Sequence, residues 1–138
     1  LILKRTYEFV REAEKTWMYP GIPTWVLTHR ALERYEGEGV DVRFTATDDI
    51  AGLHAEAVRA AAGRDVWMVG GGNVAAQFAR LGLLDEMHLG VVPVVLGAGA
   101  PLLPVAVPGA CELTAIERVG KGIVEMRYVL PKAGLPAR

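Results

Sequence analysis

The sequence contains a single cysteine, Cys111, and has no long uninterrupted apolar run. One cysteine cannot form a disulfide within the chain, so a disulfide-stapled scaffold is excluded and a reducing cytoplasm is the expected compartment. The longest apolar stretch, from Leu89 to Leu96, is too short to cross a bilayer and contains Pro93. The opening residues do not show a charged segment followed by an apolar one, so we expect no signal peptide.

The chain also lacks an excess of charge of either sign. The 15 Lys and Arg residues nearly balance the 16 Asp and Glu residues, which leaves a formal net charge of −1. The global basic field of many nucleic-acid-binding proteins is therefore absent, and we expect neither nucleic acid nor membrane as a partner. Apolar residues are plentiful, since 51% of the 138 residues are hydrophobic and 22% are charged. That balance suits one globular domain over residues 1–138.

Potential metal ligands are few and scattered. His29, His54 and His88 show neither the spacing H-E-x-x-H nor a paired Cys/His pattern. The zinc-deaminase pattern of H-x-E with P-C-x-x-C is absent as well. We therefore expect no metal site.

Apolar periodicity and turn residues predict alternating helices and strands in the first half of the chain. Thr6 is expected to cap the first helix, with Phe9 facing inward. Thr47–Asp49 is the expected cap of a second, alanine-rich helix. The predicted elements of this half are helices over 6–15 and 50–62 and strands over 24–28 and 40–46.

The second half predicts a short buried strand, a helix and a closing hairpin. Val66–Val69 is wholly apolar, which suits a parallel strand covered on both faces. A glycine turn and a helix over 74–81, ended by Gly82, follow it. The last predicted elements are a strand over 87–95 and hairpin strands over 112–118 and 123–130, joined by Gly120-Lys121-Gly122. This order predicts an α/β fold with a mostly parallel sheet and an antiparallel hairpin at its edge.

The glycine run Gly70-Gly71-Gly72-Asn73 lies between the predicted strand and the predicted helix. Such a turn collects backbone N–H groups at the positive end of the helix dipole, which favours phosphate. Glycine matters there because a side chain would hold a pyrophosphate away from those donors. The run also fits the dinucleotide pattern G-x-G-x-x-A, although the acidic residue expected about 20 positions later is missing. The alternative interpretation is a tight turn whose glycines serve packing alone.

The stretch from Val66 to Pro104 resembles the dihydrofolate reductase-like superfamily. The resemblance rests on Val-Gly-Gly-Gly-Asn at 69–73, on Gly82-Leu83-Leu84-Asp85-Glu86, and on Val92-Pro93-Val94-Val95-Leu96-Gly97-Ala98-Gly99. Near the start, Arg5-Thr6-Tyr7-Glu8 is similar to the segment G-R-x-T-Y/W-E of that superfamily. The most similar branch is the reductase domain of the bifunctional riboflavin-biosynthesis deaminase/reductase, the RibD C-terminal domain.

This resemblance implies a reductase of the riboflavin-biosynthesis type that uses NADPH, on a mixed, mostly parallel sheet flanked by helices. The matching positions fall in three groups of cofactor-binding candidates. Lys4, Arg5 and Thr6 match a phosphate-contacting helix start, and Thr28-His29-Arg30 matches the Ser/Thr-Arg turn that receives the adenosine 2′-phosphate. Val69, Gly70, Gly71, Gly72, Asn73 and Val74 match the pyrophosphate loop. Any one of the basic residues in these groups, considered by itself, would be interpreted as an ordinary solvent-exposed surface residue. The combination of all three groups is what favours a cofactor site.

Two departures from the family pattern affect the interpretation. Leu3 stands where the family has glycine, and Lys4 where it has arginine. The family's first strand, which lines the nicotinamide and substrate pocket, has no match, and Leu1-Ile2-Leu3 looks like an element already under way. We therefore expect a domain that lacks its N-terminal strand, and catalytic residues stay unassigned.

The expected substrate is a small pyrimidine- or pteridine-like heterocycle. The family branch favours 5-amino-6-(5-phosphoribosylamino)uracil reductase-like activity, while a dihydrofolate reductase-type activity is the first alternative. A non-catalytic NADPH-binding or assembly module is the second alternative, because the departures at Leu3 and Lys4 affect the cofactor site itself. The resemblance also implies a homodimer formed through the closing strands, whose edges are long and apolar.

Overall fold

A computed structural model of the chain describes residues 1–132. The described part contains both helices and strands, in keeping with the expected α/β class. Its elements are β1 (Ile2–Leu3), α1 (Lys4–Ala13), β2 (Thr24–Leu27), β3 (Val42–Thr45), α2 (Ile50–Ala61), α3 (Gly72–Arg80), β4 (Glu86–Val91), β5 (Glu112–Val119) and β6 (Ile123–Val129). The chain divides into two compact units, Leu1–Ala75 and Ala76–Arg138.

A parallel sheet with the order β1-β2-β3 forms the first unit. The last residues of β1 and β2, Leu3 and Leu27, are register partners, and Val26 pairs with both Ile2 and Phe44. On the other side of β1, Val69 forms a parallel bridge with Ile2. The strand β1 therefore lies between β2 and the segment that leads to the glycine turn.

An aromatic cluster fills the core of the first unit on the side of α1. Tyr7 is almost completely buried and meets the rings of Tyr35 and Phe44 edge-on at 5.9 and 5.3 Å between centroids. Its hydroxyl donates a hydrogen bond to the Glu33 carbonyl at 2.8 Å, which satisfies the polar end of a buried ring. This cluster fixes α1 against the sheet and so positions the start of that helix.

The helix α2 follows local sequence signals closely. Asp49 caps it, accepting a hydrogen bond from the Gly52 N–H at 2.8 Å. Its buried residues, Ile50, Leu53 and Ala57, recur at helical spacing. The helix ends at Ala61, within one residue of the predicted end.

The second unit contains an antiparallel sheet with the order β4-β6-β5. The strands β5 and β6 form the predicted hairpin, and Gly120 in its turn has a φ of +59°. Apolar residues of β4 and β6 stand opposite one another on one face, as in the pairs Met87–Tyr128 and Leu89–Met126. The fold class expected from the sequence, a mixed α/β arrangement of parallel and antiparallel strands with helices, is confirmed.

The start of α1 differs from the prediction. The helix begins at Lys4 with Leu3 as its N-cap residue, and no side chain caps it. Thr6 therefore lies inside the first turn and does not cap the helix. Phe9 is 69% exposed, so the expected inward orientation is wrong, and Tyr7 is the buried residue of the helix. The helix starts two residues early because β1 runs directly into it.

Several predicted strands are shorter in the structure, most clearly those expected over 40–46, 66–69 and 87–95. Val66–Val69 contributes only the bridge at Val69, and Trp67 is 62% exposed, so the expectation of a strand covered on both faces is wrong. The strand predicted over 87–95 ends at Val91. Pro93 follows, and a proline has no N–H to donate to a sheet. Within residues 1–132, no helix combines the length and apolar character needed to span a bilayer.

Candidate functional site

The parallel sheet of the first unit brings the three groups of candidate residues to one edge. In a parallel sheet the carboxyl ends of neighbouring strands lie side by side, about 4.8 Å apart. Lys4–Thr6 follows β1, Thr28–Arg30 follows β2, and Gly70–Val74 follows the bridge at Val69. Because β1 is the middle of these three, the start of α1 lies between the glycine turn and the Thr28 turn.

The glycine turn combines a left-handed backbone with the start of α3. Gly70 and Gly71 have φ values of +72° and +85°, a region that side chains disfavour. The Gly71 carbonyl accepts hydrogen bonds from the N–H groups of Val74 and Ala75, at 3.0 and 3.1 Å. The helix therefore starts directly after the turn, and Val74 is buried and anchors its first turn. Asn73 is exposed beside it.

The first turn of α1 touches the glycine turn. A Cβ added at Gly70 would lie 2.8 Å from the hydroxyl oxygen of Thr6. Both the backbone conformation and the space at Gly70 therefore demand glycine. Thr6, which does not cap its own helix, places its hydroxyl at the glycine turn that opens α3.

Leu3 fills the space above Gly71. A Cβ added at Gly71 would overlap Leu3 Cδ1 and would come within 2.7 Å of Leu3 Cγ and Cδ2. Packing thus accounts for part of the glycine run, as the alternative interpretation expected. Gly72, the third glycine of the run, has no positive φ and is the first residue of α3.

Positive charge and free helix ends dominate this edge. Neither α1 nor α3 carries an acidic residue in its first turn. Arg5 is exposed, and Lys4 is half-buried and pairs with Glu8 one helical turn later at 3.3 Å. The first N–H groups of any α-helix lack partners within the helix. Two helix starts and two cations beside them favour an anion.

The Thr28 turn is closed by its own hydroxyl. Thr28 Oγ1 accepts a hydrogen bond from the Arg30 N–H at 3.0 Å, and the Thr28 N–H donates to the Thr45 carbonyl of β3 at 2.8 Å. His29 and Arg30 are exposed beyond this turn. The turn thus ties the Arg30 backbone to the sheet edge, while its guanidinium remains available to solvent.

A cavity at the opposite edge of the sheet was not anticipated from the sequence. It has a volume of about 230 Å³ and lies at the amino ends of the strands. Trp25, Trp67 and Tyr19 line it together with Ala57 and Ala61 of α2. Its walls come from separate segments that only folding brings together, so no local pattern could reveal it.

The described residues offer no metal centre. Residues 1–132 contain no group of three His, Cys, Asp or Glu side chains placed to hold an ion. Cys111, the single cysteine of the chain, is half-buried.

Comparison with known protein families shows to which family the chain belongs. Residues 3–125 match the family model of the RibD C-terminal domain. The chain belongs to the RibD C-terminal domain family. The matched residues include all three groups at the sheet edge, and membership places the chain in a riboflavin-type reductase family.

Two solved structures resemble this family member in fold. A Shewanella sp. PV-4 protein named for riboflavin biosynthesis is 22% identical, with a TM-score of 0.72 over 95% of this chain and 72% of its own. A pyrimidine reductase-like protein from Corynebacterium diphtheriae is 21% identical, with a TM-score of 0.52 over 78% of this chain and 50% of its own. These likenesses confirm the fold expected from the resemblance.

Two Bacillus subtilis (strain 168) proteins are related in sequence. YwjB, an uncharacterized protein, is 28% identical over 99 residues, which cover 72% of this chain and 54% of YwjB. YyaP, also uncharacterized, is 50% identical over 40 residues, 29% of this chain and 21% of YyaP. The aligned part of the chain spans about half the length of YwjB and about a fifth of YyaP.

Proposed function

We propose that the protein is an NADPH-dependent reductase of the riboflavin-biosynthesis type, acting on a pyrimidine- or pteridine-like small molecule. One observation carries the proposal: three candidate phosphate-binding segments lie at the same edge of the parallel sheet. Lys4–Thr6 follows β1, Thr28–Arg30 follows its partner β2, and Gly70–Val74 follows Val69, which is bridged to β1 on the other side. Membership in the RibD C-terminal domain family supports the same chemistry.

The residues at this edge suit the anionic parts of NADPH. Gly70 is exposed and lies where a side chain would meet the Thr6 hydroxyl, and Arg5 and Lys4 supply charge beside the helix starts. Arg30 offers a guanidinium fork, which matches a phosphate in two hydrogen bonds. A 2′-phosphate at Arg30 would distinguish NADPH from NADH. We propose a reducing cytoplasm as the compartment in which this cofactor is used.

When bound, NADPH supplies the hydride. The residues of this chain hold and orient the cofactor: the start of α3 binds the pyrophosphate, and the Thr28 turn binds the 2′-phosphate. Proximity and orientation then bring donor and acceptor carbons together. Hydride delivery to a ribosyl C1′ opens the sugar ring and leaves a negative oxygen, and delivery to a pteridine C=N leaves a negative nitrogen, so each reduction also takes up one proton. Membership in the RibD C-terminal domain family favours the riboflavin-type reduction.

Binding and turnover test the proposal in two steps. Titration with NADPH, followed by nicotinamide fluorescence, should saturate, and NADH should bind more weakly. Incubation with an aminopyrimidine phosphoribose should then consume NADPH, and a dihydropteridine should be a poorer substrate. Absence of saturable NADPH binding by the folded chain would contradict the proposal.

A non-catalytic NADPH-binding or assembly module is the second candidate function. The departures at Leu3 and Lys4 motivate it, because they alter the candidate cofactor site, where Leu3 packs over Gly71. Saturable NADPH binding without consumption across aminopyrimidines and pterins would establish this alternative. Turnover of any of them would exclude it.

We also propose that two copies of the chain associate through β5. This strand lies at the edge of its sheet, so one side of its backbone is unpaired within the described residues. Leu113 and Ile116 on it are 50% and 66% exposed. Long exposed apolar edges are normally covered or paired, and a second identical strand supplies a matching edge.

A further inference from the structure

We propose that Leu3 is a specificity-determining residue that covers the glycine turn and weakens pyrophosphate binding there. The inference rests on the proposed function, because it concerns the affinity of the same site for NADPH. It is carried by the contact between the Leu3 side chain and the backbone of Gly71.

Leu3 occupies a position where its side chain does not serve its own helix. It is the N-cap residue of α1, with φ of −83° and ψ of 158°, and makes no side-chain cap hydrogen bond. Serine, threonine, asparagine and aspartate are preferred at such positions because their oxygen accepts from a free helix N–H. The isobutyl group of Leu3 instead packs across to Gly71 at the start of the neighbouring helix.

That packing occupies the approach to the turn. A Cβ at Gly71 would come within 2.7 Å of Leu3 Cγ and Cδ2, so the methyl groups pack directly against the backbone of the glycine turn. A phosphate oxygen must come within about 3 Å of a backbone nitrogen to accept its hydrogen bond. The Leu3 side chain therefore has to move before a pyrophosphate can reach the turn at Gly71.

Moving the side chain is feasible but costs affinity. Leu3 is half-buried, so part of its surface is already in water and a change of rotamer exposes only the remainder. Apolar contact with Gly71 is lost when the pyrophosphate enters. Shortening residue 3 removes this competition, whereas the Thr28 turn, which lies beyond β2, is unaffected.

Two variants at position 3 and one control test the inference. Leu3→Ala removes the methyl groups, and Leu3→Ser also provides a cap for α1, which guards against a failure to fold. Leu27→Ala is the matched control, since Leu27 is the register partner of Leu3, also half-buried, but one strand further from Gly71. Binding of NADPH and of adenosine 2′-monophosphate, which has no pyrophosphate, is measured by calorimetry on each folded variant.

We expect both Leu3 variants to bind NADPH about tenfold more tightly than the parent chain, a difference of about 1.4 kcal/mol. Leu27→Ala should not tighten binding, and adenosine 2′-monophosphate should bind all four proteins alike. Equal NADPH affinity in the parent and both Leu3 variants, or tighter binding by the control as well, would overturn the inference and leave the proposed function standing. Failure of all four folded proteins to bind NADPH would overturn the proposed function, and the inference with it.

Discussion

The hydroxyl of Thr6 and the α-carbon of Gly70 are neighbours, so close that a Cβ at Gly70 would lie 2.8 Å from Thr6 Oγ1. This contact joins the first turn of α1 to the glycine turn that opens α3. The start of α1, which follows β1, and the start of α3, which follows the segment bridged to β1 at Val69, are therefore in contact. The account of this site as a phosphate-binding edge depends on that contact.

Replacing Gly70 by alanine should destabilise the fold by about 1–3 kcal/mol, because the side chain meets both a left-handed backbone and the Thr6 hydroxyl. Thermal unfolding measures the loss. Gly63→Ala is the matched control: its φ is +85°, but nothing lies within 4 Å of the added Cβ. Equal losses in the two variants would show that the Thr6 contact has no effect.

Replacing Arg30 by alanine should weaken NADPH binding about tenfold or more and leave NADH binding unchanged, because only NADPH carries the 2′-phosphate that the guanidinium would bind. Fluorescence titration with both dinucleotides measures the two affinities. Arg59→Ala removes an exposed arginine from the last turn of α2 and should change neither. Equal weakening towards NADH and NADPH would place the 2′-phosphate elsewhere.

Alkaline pH should destabilise the protein through its buried tyrosines. Burial raises the pKa of Tyr7 and of Tyr35 above the ordinary value of 10.0. Above that pH the unfolded chain releases phenolic protons that the folded chain retains, so the free energy of unfolding falls as pH rises. This stabilisation is complete below about pH 10 and is lost as pH rises through the folded pKa values.

Urea unfolding at about pH 8 and about pH 11 measures that effect. Tyr7→Phe should lower stability at neutral pH by about 1 kcal/mol, because the hydrogen bond to the Glu33 carbonyl is lost. It should also reduce the alkaline loss, because one of the two phenols is gone. The same alkaline loss in the parent chain and in a Tyr7→Phe/Tyr35→Phe double variant would contradict this explanation.

Association through β5 predicts a mass of two chains in solution. Ile116→Lys should give the mass of one chain, because a charge then replaces an apolar side chain that is 66% exposed on the proposed interface. Light scattering at micromolar concentration measures the mass. Phe9→Lys changes an equally exposed apolar residue on α1 and should leave the dimer intact. A single-chain mass for the parent protein would exclude the dimer.

Local signals carried most of the fold prediction. The Asp49 cap and the helix after it, the glycine turn before α3, and the hairpin at Gly120 are all recorded in residues close together in sequence, and all were predicted. The start of α1 was missed because Thr6 has the composition of a cap, whereas the real N-cap, Leu3, is held by packing against Gly71. That contact joins residues far apart in sequence.

The sequence predicted which residues belong to the candidate site, but not how those residues are placed relative to one another. The resemblance picked out the three groups, but the register that places Lys4–Thr6 between the others depends on pairings of Ile2 with Val26 and with Val69. The exposure of Trp67 was missed for the same reason, since an apolar run does not reveal how many strands cover it. The cavity at the opposite edge likewise depends on tertiary contacts.

The most direct test of the phosphate-binding edge is to follow backbone amide signals by NMR while NADPH is added. The account predicts that the affected amides cluster in 4–6, 28–30 and 69–74, in all three segments and with one shared binding constant. The indole signals of Trp25 and Trp67, which line the cavity at the opposite edge, should stay unchanged. Shifts confined to a single segment, or centred on those two tryptophans, would contradict the account.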